Sequence, residues 1–473
     1  MAAKNIETIV NLSKRRGFVF PASEIYGGLG SAWDYGSLGV ELANNIKQNW
    51  WNWLVHERDD IEGLDSSIIQ NRLVWKHCGH EETFNDMMTD CRNCKARHRA
   101  DKLEYDESQT VPIEEAIEKE LVACPVCGEK DLTEPRPFLT MLSTRLGAVS
   151  DEEDYHSKAY LRPETAQGIF INFGNVLTTS RKKLPFGIAQ IGKSFRNEIT
   201  PGNFILRTRE FEQMEMEYFC HPDDAPKLVD EWVENYMNWM TSLGISKDNL
   251  HLYEVPDEEL AHYSVRTVDV MYRYFPERED EEKQWEELMG IANRTDFDTK
   301  AHSKKPVNEE GKRINPDSTE DLSYHDPYTN KRFYPYVVEP AIGVNRTLLA
   351  VLMDAYTEKE NDKGQSRVIL KLDKKLAPIK VAVLPLKKNK EEISGMARQI
   401  KKDLQPSMRT VYDDTGSIGK LYARQDEIGT PFCVTVDFDS LDDNTVTVRD
   451  RDTWEQERVN VDKLKEYLQD RLS

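Results

Sequence analysis

Apolar positions at helical spacing mark residues 40–54, VELANNIKQNWWNWL, where Val40, Ala43, Ile46, Trp50, Trp53 and Leu54 recur on one face. The spacing predicts a helix buried in a core or an interface. GLDSSII, residues 63–69, is short and apolar enough to read as a strand. Between Ala159 and Phe219 short apolar runs alternate with Gly, Pro and Arg, which predicts strands of an antiparallel sheet. Residues 257–287 hold eleven Asp/Glu against four Lys/Arg, and the expectation is a solvated helical face. Residues 302–332 are polar and rich in turn formers, so an exposed insertion is expected there.

A boundary is expected at Ala377-Pro378. Beyond it IKVAVLPL and TPFCVTVDF read as buried strands. EEISGMARQIKKDL places Ile393, Met396, Ala397, Ile400 and Leu404 at helical spacing, and VDKLKEYLQDRL closes as an amphipathic helix. Strand, helix, strand, helix in so short a stretch predicts a small α/β domain.

With 473 residues, 38% hydrophobic and 31% charged, the chain is long enough for about two or three domains and too apolar for wholesale disorder. No run approaches the roughly 20 apolar residues of a membrane helix, and MAAKNIETIVNLSKRRGFVF has no apolar signal core. The expectation is a cytoplasmic protein with no membrane partner. The formal charge of −21 argues against indiscriminate coating of nucleic acid. Seven cysteines without an export signal point to a reducing compartment. Four of them form two Cys-x-x-Cys pairs, Cys91/Cys94 and Cys124/Cys127. Two such knuckles complete a tetrahedral sulfur shell, which predicts structural Zn2+ without a catalytic role. The competing view is four ordinary cysteines on a surface insertion.

The most informative stretch is GIAQIGKSFRNEITPGNFILRTREFEQMEMEYF, residues 187–219. Arg196 follows an apolar run, a loop with Pro201, Gly202 and Asn203 comes next, and the returning strand carries Arg207, Arg209 and Phe211 among the acids Glu210, Glu212, Glu215 and Glu217. Such a hairpin suits a nucleotide, with arginine gripping phosphate and the ring stacking on the base. Equally it reads as a charged hairpin with Phe211 and Met214 in the core. In YVVEPAIGVNRTLLAVLMDAY a strand is expected to end at Glu339-Pro340, with a turn at Gly343 and Arg346 in the first turn of an apolar helix, where phosphate is favoured. AYLRPETAQGIF offers Glu164 before a helical start, and WEELMGIANRTDFD offers Glu287 and Arg294. No GxxxxGK[ST] or GxGxxG is present, so P-loop and Rossmann nucleotide binding lose support.

Together these blocks resemble a class II aminoacyl-tRNA synthetase, of the homodimeric glycyl-tRNA synthetase type. FRNE…RTREFEQMEMEYF is similar to the second class signature and EPAIGVNR to the third, while SAWDYGSLGVELANNIKQNWW, LRPETAQGIF, GIANRTDFD and ARQDEIGTPFCVTVDFD resemble family blocks. The resemblance implies an α+β protein: a class II catalytic domain over residues 1–377 built on an antiparallel sheet, with insertions at about 77–137 (the zinc module), 220–260 and 300–335, and an α/β anticodon-binding domain over 378–473. It implies that glycine attacks the α-phosphate of ATP, and that the 3′ end of tRNA(Gly) then takes glycine from the adenylate, with Mg2+ on the phosphates. By the same resemblance Arg196, Glu215 and Arg346 are the catalytic set. ATP falls to Arg196, Asn197, Glu198, Leu206, Arg207, Thr208, Arg209, Glu210, Phe211, Glu287, Leu288, Gly343, Val344, Asn345 and Arg346. Glycine falls to Arg99, Glu164, Phe211, Glu212, Gln213, Met214, Glu215, Arg294, Glu339, Pro340, Ala341, Ile342 and Gly343.

Glycine has no side chain to grip, so its ammonium, its carboxylate and exclusion by size must suffice; no editing domain is expected. Two positions depart from the family pattern. Ala341 replaces a serine beside the amino acid, and Arg72 replaces a proline in a segment that the resemblance assigns to the dimer interface. A different class of reading is an inactive relative that binds RNA or regulates a partner. Charge sharpens the choice: residues 380–424 hold ten Lys/Arg against five Asp/Glu, and residues 181–209 seven against one. Two basic surfaces are therefore expected on an acidic body, suited to selective tRNA binding.

Overall fold

The computed structural model describes residues 3–105, 111–147, 157–198, 202–360, 364 and 366–472; Pro201 of the loop noted above lies outside them. Seven strands form the central sheet: β1 (Ile61–Gly63), β2 (Phe186–Phe195), β3 (Glu210–Cys220), β4 (Leu250–Glu254), β5 (Arg266–Tyr272), β6 (Glu286–Thr295) and β7 (Tyr336–Gly343). Their order is β4-β5-β6-β7-β3-β2-β1. Every pairing is antiparallel except the edge pair β1 with β2.

Strand periodicity divides this sheet into two chemically different faces. Met214, Met216 and Tyr218 of β3, Val338 and Ile342 of β7, and Met289 and Ile291 of β6 enter the large core. Helices α1 (Ser37–Trp51), α2 (Ala225–Ser242) and α3 (Val344–Ala355) supply its other side. Trp50 is wholly buried and donates its indole N–H to the Tyr236 hydroxyl at 3.1 Å, while Trp53 stacks on Trp239 at 5.6 Å. The opposite face carries Phe219 and Val337 under the short helices Ala166–Phe170 and Phe173–Ser180, and beyond them an open, polar stretch.

The C-terminal domain has its own core, centred on Val383, Ile400, Val434, Val448 and Leu468. Strands β8 (Val381–Pro385), β9 (Thr410–Tyr412), β10 (Phe432–Val436), β11 (Thr445–Asp450) and β12 (Gln456–Asn460) run in the order β9-β8-β10-β11-β12. The first three are mutually parallel, and the rest pair antiparallel. Helices α4 (Glu391–Leu404), α5 (Ile418–Glu427) and α6 (Val461–Leu472) complete it. Arg15 and Arg16 pair with Glu427, and Arg451 donates to the Leu372 carbonyl at 2.8 Å, so charged contacts tie it to the larger unit.

Several sequence expectations change. The helix over 40–54 begins earlier, at Ser37, and Val40 faces solvent while Leu42 is buried. GLDSSII is mostly irregular; the strand lies just before it, at Ile61–Gly63, because those residues continue the edge of the sheet. The stretch 159–219 contains two helices as well as strands. The acidic run 257–287 forms no α-helix: its acids lie in short 3-10 turns and loops around β5, in the start of β6 and, at Asp269, within β5, whose Val268, Val270 and Tyr272 alternate into the core. Residues 220–260 are no appendage, since α2 buries Trp232, Tyr236 and Trp239 in the core. Strand β7 continues through Pro340 to Gly343, because Ala341 and Ile342 remain paired to β3 and β6.

One buried pair organises the C-terminal domain. Arg449 donates from both terminal nitrogens to the two Asp426 oxygens at 2.8 and 2.9 Å, with the Asp426 side chain wholly buried. Asp426→Ala leaves the guanidinium uncompensated and should destabilise this domain by about 3–5 kcal/mol. Chemical denaturation followed by circular dichroism checks this; an unchanged midpoint contradicts it.

Candidate active site

The open face of the sheet is the floor of a cavity of about 620 Å³. Register lays one row of residues across it: Gln190, Glu215, Ala341, Gly290 and Asp269 are successive cross-strand partners on β2, β3, β7, β6 and β5. Small residues Ala341, Gly290, Ala292 and Gly343 keep the floor low, so a ligand can lie directly on the sheet.

At one end sit two arginines. Arg196, just past β2, donates from Nε to the Pro163 carbonyl at 3.1 Å, and its guanidinium lies between the Phe84 and Phe211 rings at 5.4 and 5.3 Å. Arg346, in the first turn of α3, donates from Nη1 to the Glu287 carbonyl at 2.6 Å and lies 3.1 Å from its carboxylate. That guanidinium holds the Glu287 carboxyl below the usual carboxylate range. Asp269 is pushed up to about 7 by burial and by Glu287. Leu206, Arg207, Thr208, Glu198, Leu288 and Asn345 complete this part of the wall.

At the other end Glu164, Glu215 and Glu339 converge with buried Arg294 behind them. Arg294 donates from Nε and Nη2 to Asp298 at 2.8 and 3.1 Å and from Nη1 to Glu339 at 2.9 Å. Gln167 Nε2 donates to both Glu164 and Asp298 at 3.0 Å, and His302 donates to Gln167 Oε1 at 2.8 Å. Thr165 donates its backbone N–H to Glu215 at 2.9 Å, and Gln213 donates to the other oxygen at 2.5 Å. Burial, with Glu339 and Glu164 nearby, pushes the Glu215 carboxyl up to about 8.

Strand alternation excludes some expected residues from the cavity. Glu212 points to the helical side, where Lys47 of α1 holds it at 2.9 Å, and Met214 is wholly buried in the core beside it. Pro340 takes the same side of β7, and Val344 is buried in that core. Glu210 is exposed and paired with Lys193; Arg209 donates to the Gly30 carbonyl at 2.8 Å and Asn197 N–H to the Thr140 carbonyl at 2.7 Å, and none of these lines the cavity. Arg99 does line it, but is engaged by Asp86 at 3.1 Å and by Asp101. Ala341 reaches the floor; Ile342 borders the cavity, but its side chain is buried in the core on the other face. Arg72 occupies the first turn of a short helix, Arg72–His77, capped by Asn71, and pairs with Glu81. Residues missed in the sequence include Asp269, Tyr263, Phe84, Gln167 and Asp298. The period-two burial of β5 would have exposed Asp269 as a floor residue; nothing local marks the others.

The two cysteine knuckles meet. Sγ of Cys91 lies 3.6 Å from that of Cys127, and Sγ of Cys94 lies 3.7 Å from that of Cys124; all four fall within 4.8 Å of one another. A tetrahedral zinc with Zn–S bonds of about 2.3 Å requires sulfurs about 3.8 Å apart. The donor set therefore fits such an ion. The Glu129 backbone amide lowers the Cys127 thiol, while the neighbouring thiols raise that of Cys94, as expected of sulfurs crowded together.

An antiparallel sheet carrying arginines and carboxylates on its open face, joined to a mixed α/β domain, defines a class II aminoacyl-tRNA synthetase. Residues 148–355 match the family model described as tRNA synthetase class II core domain (G, H, P, S and T), and residues 380–471 match the anticodon binding domain. The chain is 53% identical to the glycine–tRNA ligase of Streptomyces coelicolor, over all of this chain and 99% of that protein. It is 52% identical to that of Thermobifida fusca, over the full length of both, and 53% identical to that of Cutibacterium acnes, over all of this chain and 97% of its relative. The chain belongs to the glycine–tRNA ligase family.

Glu215 yields a pH test. Its carboxyl gains a proton on folding between the ordinary value of 4.5 and about 8, so its contribution to stability is present at low pH and lost as pH rises through that window. Glu215→Gln, neutral throughout, should raise Tm at about pH 9, with the gain vanishing below about pH 4.5. A gain independent of pH contradicts the assignment.

Proposed function

We propose that this chain activates glycine with ATP and transfers it to the 3′ end of tRNA(Gly). Identity above one half with glycine–tRNA ligases over the whole chain carries this reading, and the low carboxylate-walled floor is what glycine requires. The ammonium of glycine is received by Glu164, Glu215 and Glu339, all already held in hydrogen bonds. Arg196 grips the α-phosphate from its place over Phe211, adenine stacks on Phe211, and Arg346 takes the far phosphates. Positioning and charge neutralisation carry the rate, since attack by the glycine carboxylate needs no covalent help. Ala341 contributes no hydroxyl, so the glycine ammonium here relies on the carboxylates for its polar contacts.

Asp269 and Glu287 offer oxygen donors at the nucleotide end, which suit Mg2+; when bound, the ion neutralises phosphate charge. Zn2+ in the four-cysteine shell is structural in this reading, because a closed shell leaves no position for substrate. The working form is a homodimer in the cytoplasm. Exposed Ile25, Tyr26 and Leu29, in the turn between the paired strands Val19–Pro21 and Trp33–Tyr35, support the dimer. Seven free thiols support a reducing compartment.

Glycine-dependent ATP–pyrophosphate exchange tests the reading. Glycine should support exchange and alanine only a small fraction of that rate; alanine near the glycine rate contradicts the pocket, and no exchange at all favours an inactive relative. Lys388 and Lys402 are exposed on the C-terminal domain. Lys388→Glu with Lys402→Glu should lower tRNA charging about tenfold or more while sparing exchange. Equal loss of both activities contradicts the division of labour between domains.

A further inference from the structure

Behind the glycine end of the cavity lies a buried side chain with no role so far. His80 opens the short helix His80–Thr83, at the point where the chain enters the cysteine-bearing module. It is 4% exposed and does not line the cavity. Its Nε2 lies 3.3 Å from Glu164 Oε2, and its Nδ1 lies 3.1 Å from Cys78 Sγ. The Trp75 and Phe84 rings pack on it at 5.7 and 5.2 Å.

Cys78 Sγ lies within reach of both the Trp75 carbonyl, at 3.5 Å, and Nδ1. With the thiol proton turned to the carbonyl, the sulfur accepts from Nδ1, while Nε2 faces a carboxylate, which can only accept. A ring donating from both nitrogens is an imidazolium, and the buried ion pair with Glu164 favours that form. We propose that His80 is a positioning residue for glycine activation: as a buried cation it keeps Glu164 ionised and aimed at the substrate ammonium. The proposal rests on the glycine-binding reading above.

Electrostatics explain why Glu164 needs such a partner. Four glutamates, Glu164, Glu215, Glu217 and Glu339, crowd this end, and burial with mutual repulsion raises three of them. Glu164 alone of the four is held below the usual range, against desolvation, by His80 first and Arg294 second. Burial opposes the charge on His80, but Glu164 and Cys78 push it up to about 10. The other charged or titratable groups around this pair are His262 and Tyr263 from the loop before β5, Arg294 on β6 and Asp298 across Gln167, with His77 and His302 farther off. His262 is lowered and His302 is held down at about 4, so neither competes as a cation.

Glycine-dependent exchange by His80→Gln, measured across pH, tests this. Gln restores a donor toward Glu164 but no charge, so Glu164 should rise toward the range of its neighbours. The expected result is a glycine KM raised about tenfold at about pH 7 that returns toward the parent value by about pH 9, with the ATP KM within about twofold. A glycine KM within about twofold of the parent at both pH values overturns the proposal, as does a pH-independent loss shared equally by ATP and glycine. Should the variant not fold, nitrogen-15 spectra of histidine in the unaltered chain decide: His80 must stay doubly protonated above about pH 8, and a neutral ring at pH 7 overturns it. Parent chain inert with glycine overturns the functional reading together with this one, whereas an active parent beside an unaffected variant overturns His80 alone.

Discussion

The ion network around Arg294 is the constraint on which the active-site end of the sheet depends. Its guanidinium is 1% exposed, bridges Asp298 and Glu339, and lies 3.8 Å over the Tyr263 ring. Desolvating a charge so completely costs several kcal/mol, and only near-complete hydrogen bonding offsets it. Through Asp298 the network reaches Gln167, and through Gln167 it reaches Glu164 and His302. Without Arg294 these carboxylates would face one another with far less compensation. Glu217 shows what that means: both its oxygens lack a hydrogen-bond partner among the described residues, and burial, with Glu339 nearby, raises its carboxyl well above the ordinary value.

The sheet turns this network into a site because its two faces differ. Even-numbered residues of β3 and β7 pack under α1, α2 and α3, which fixes the strands rigidly. Odd-numbered residues of the same strands then stand in one register on the other face, without loop flexibility between them. The arginines proposed to grip phosphate come from the ends of strands, Arg196 past β2 and Arg346 past β7. The carboxylates come from strand interiors and from the segment before the helix Ala166–Phe170. Position along the strand therefore separates the arginine-lined end from the carboxylate-lined end.

Much of this was legible in the chain before folding. The hairpin of residues 187–219, the helix after Gly343, the two cysteine knuckles and the α/β pattern after Pro378 all follow from local spacing. Neighbours in sequence are not neighbours in space along a strand. Glu212 and Met214 stand between Phe211, Gln213 and Glu215, yet alternation sends them to the core face. Acids around β5 obscure its alternation, because Val268, Val270 and Tyr272 enter the core from a stretch whose charge dominates the pattern. His80, Gln167 and Asp298 were not legible: each matters through a contact made far along the chain, such as His80 with Glu164 or Gln167 with Asp298.

The central claim is that buried carboxylates, held by a network anchored on Arg294 and with Glu215 raised toward neutral pH, form the seat of a substrate ammonium. Isothermal calorimetry of glycine binding in buffers of different ionisation enthalpy tests it most directly. An ammonium placed against Glu215 lowers a carboxyl that otherwise sits at about 8, so binding at about pH 7 should release up to about one proton, fading to none by about pH 9. Glycine binding with no proton release at about pH 7, or with proton uptake, would contradict the account.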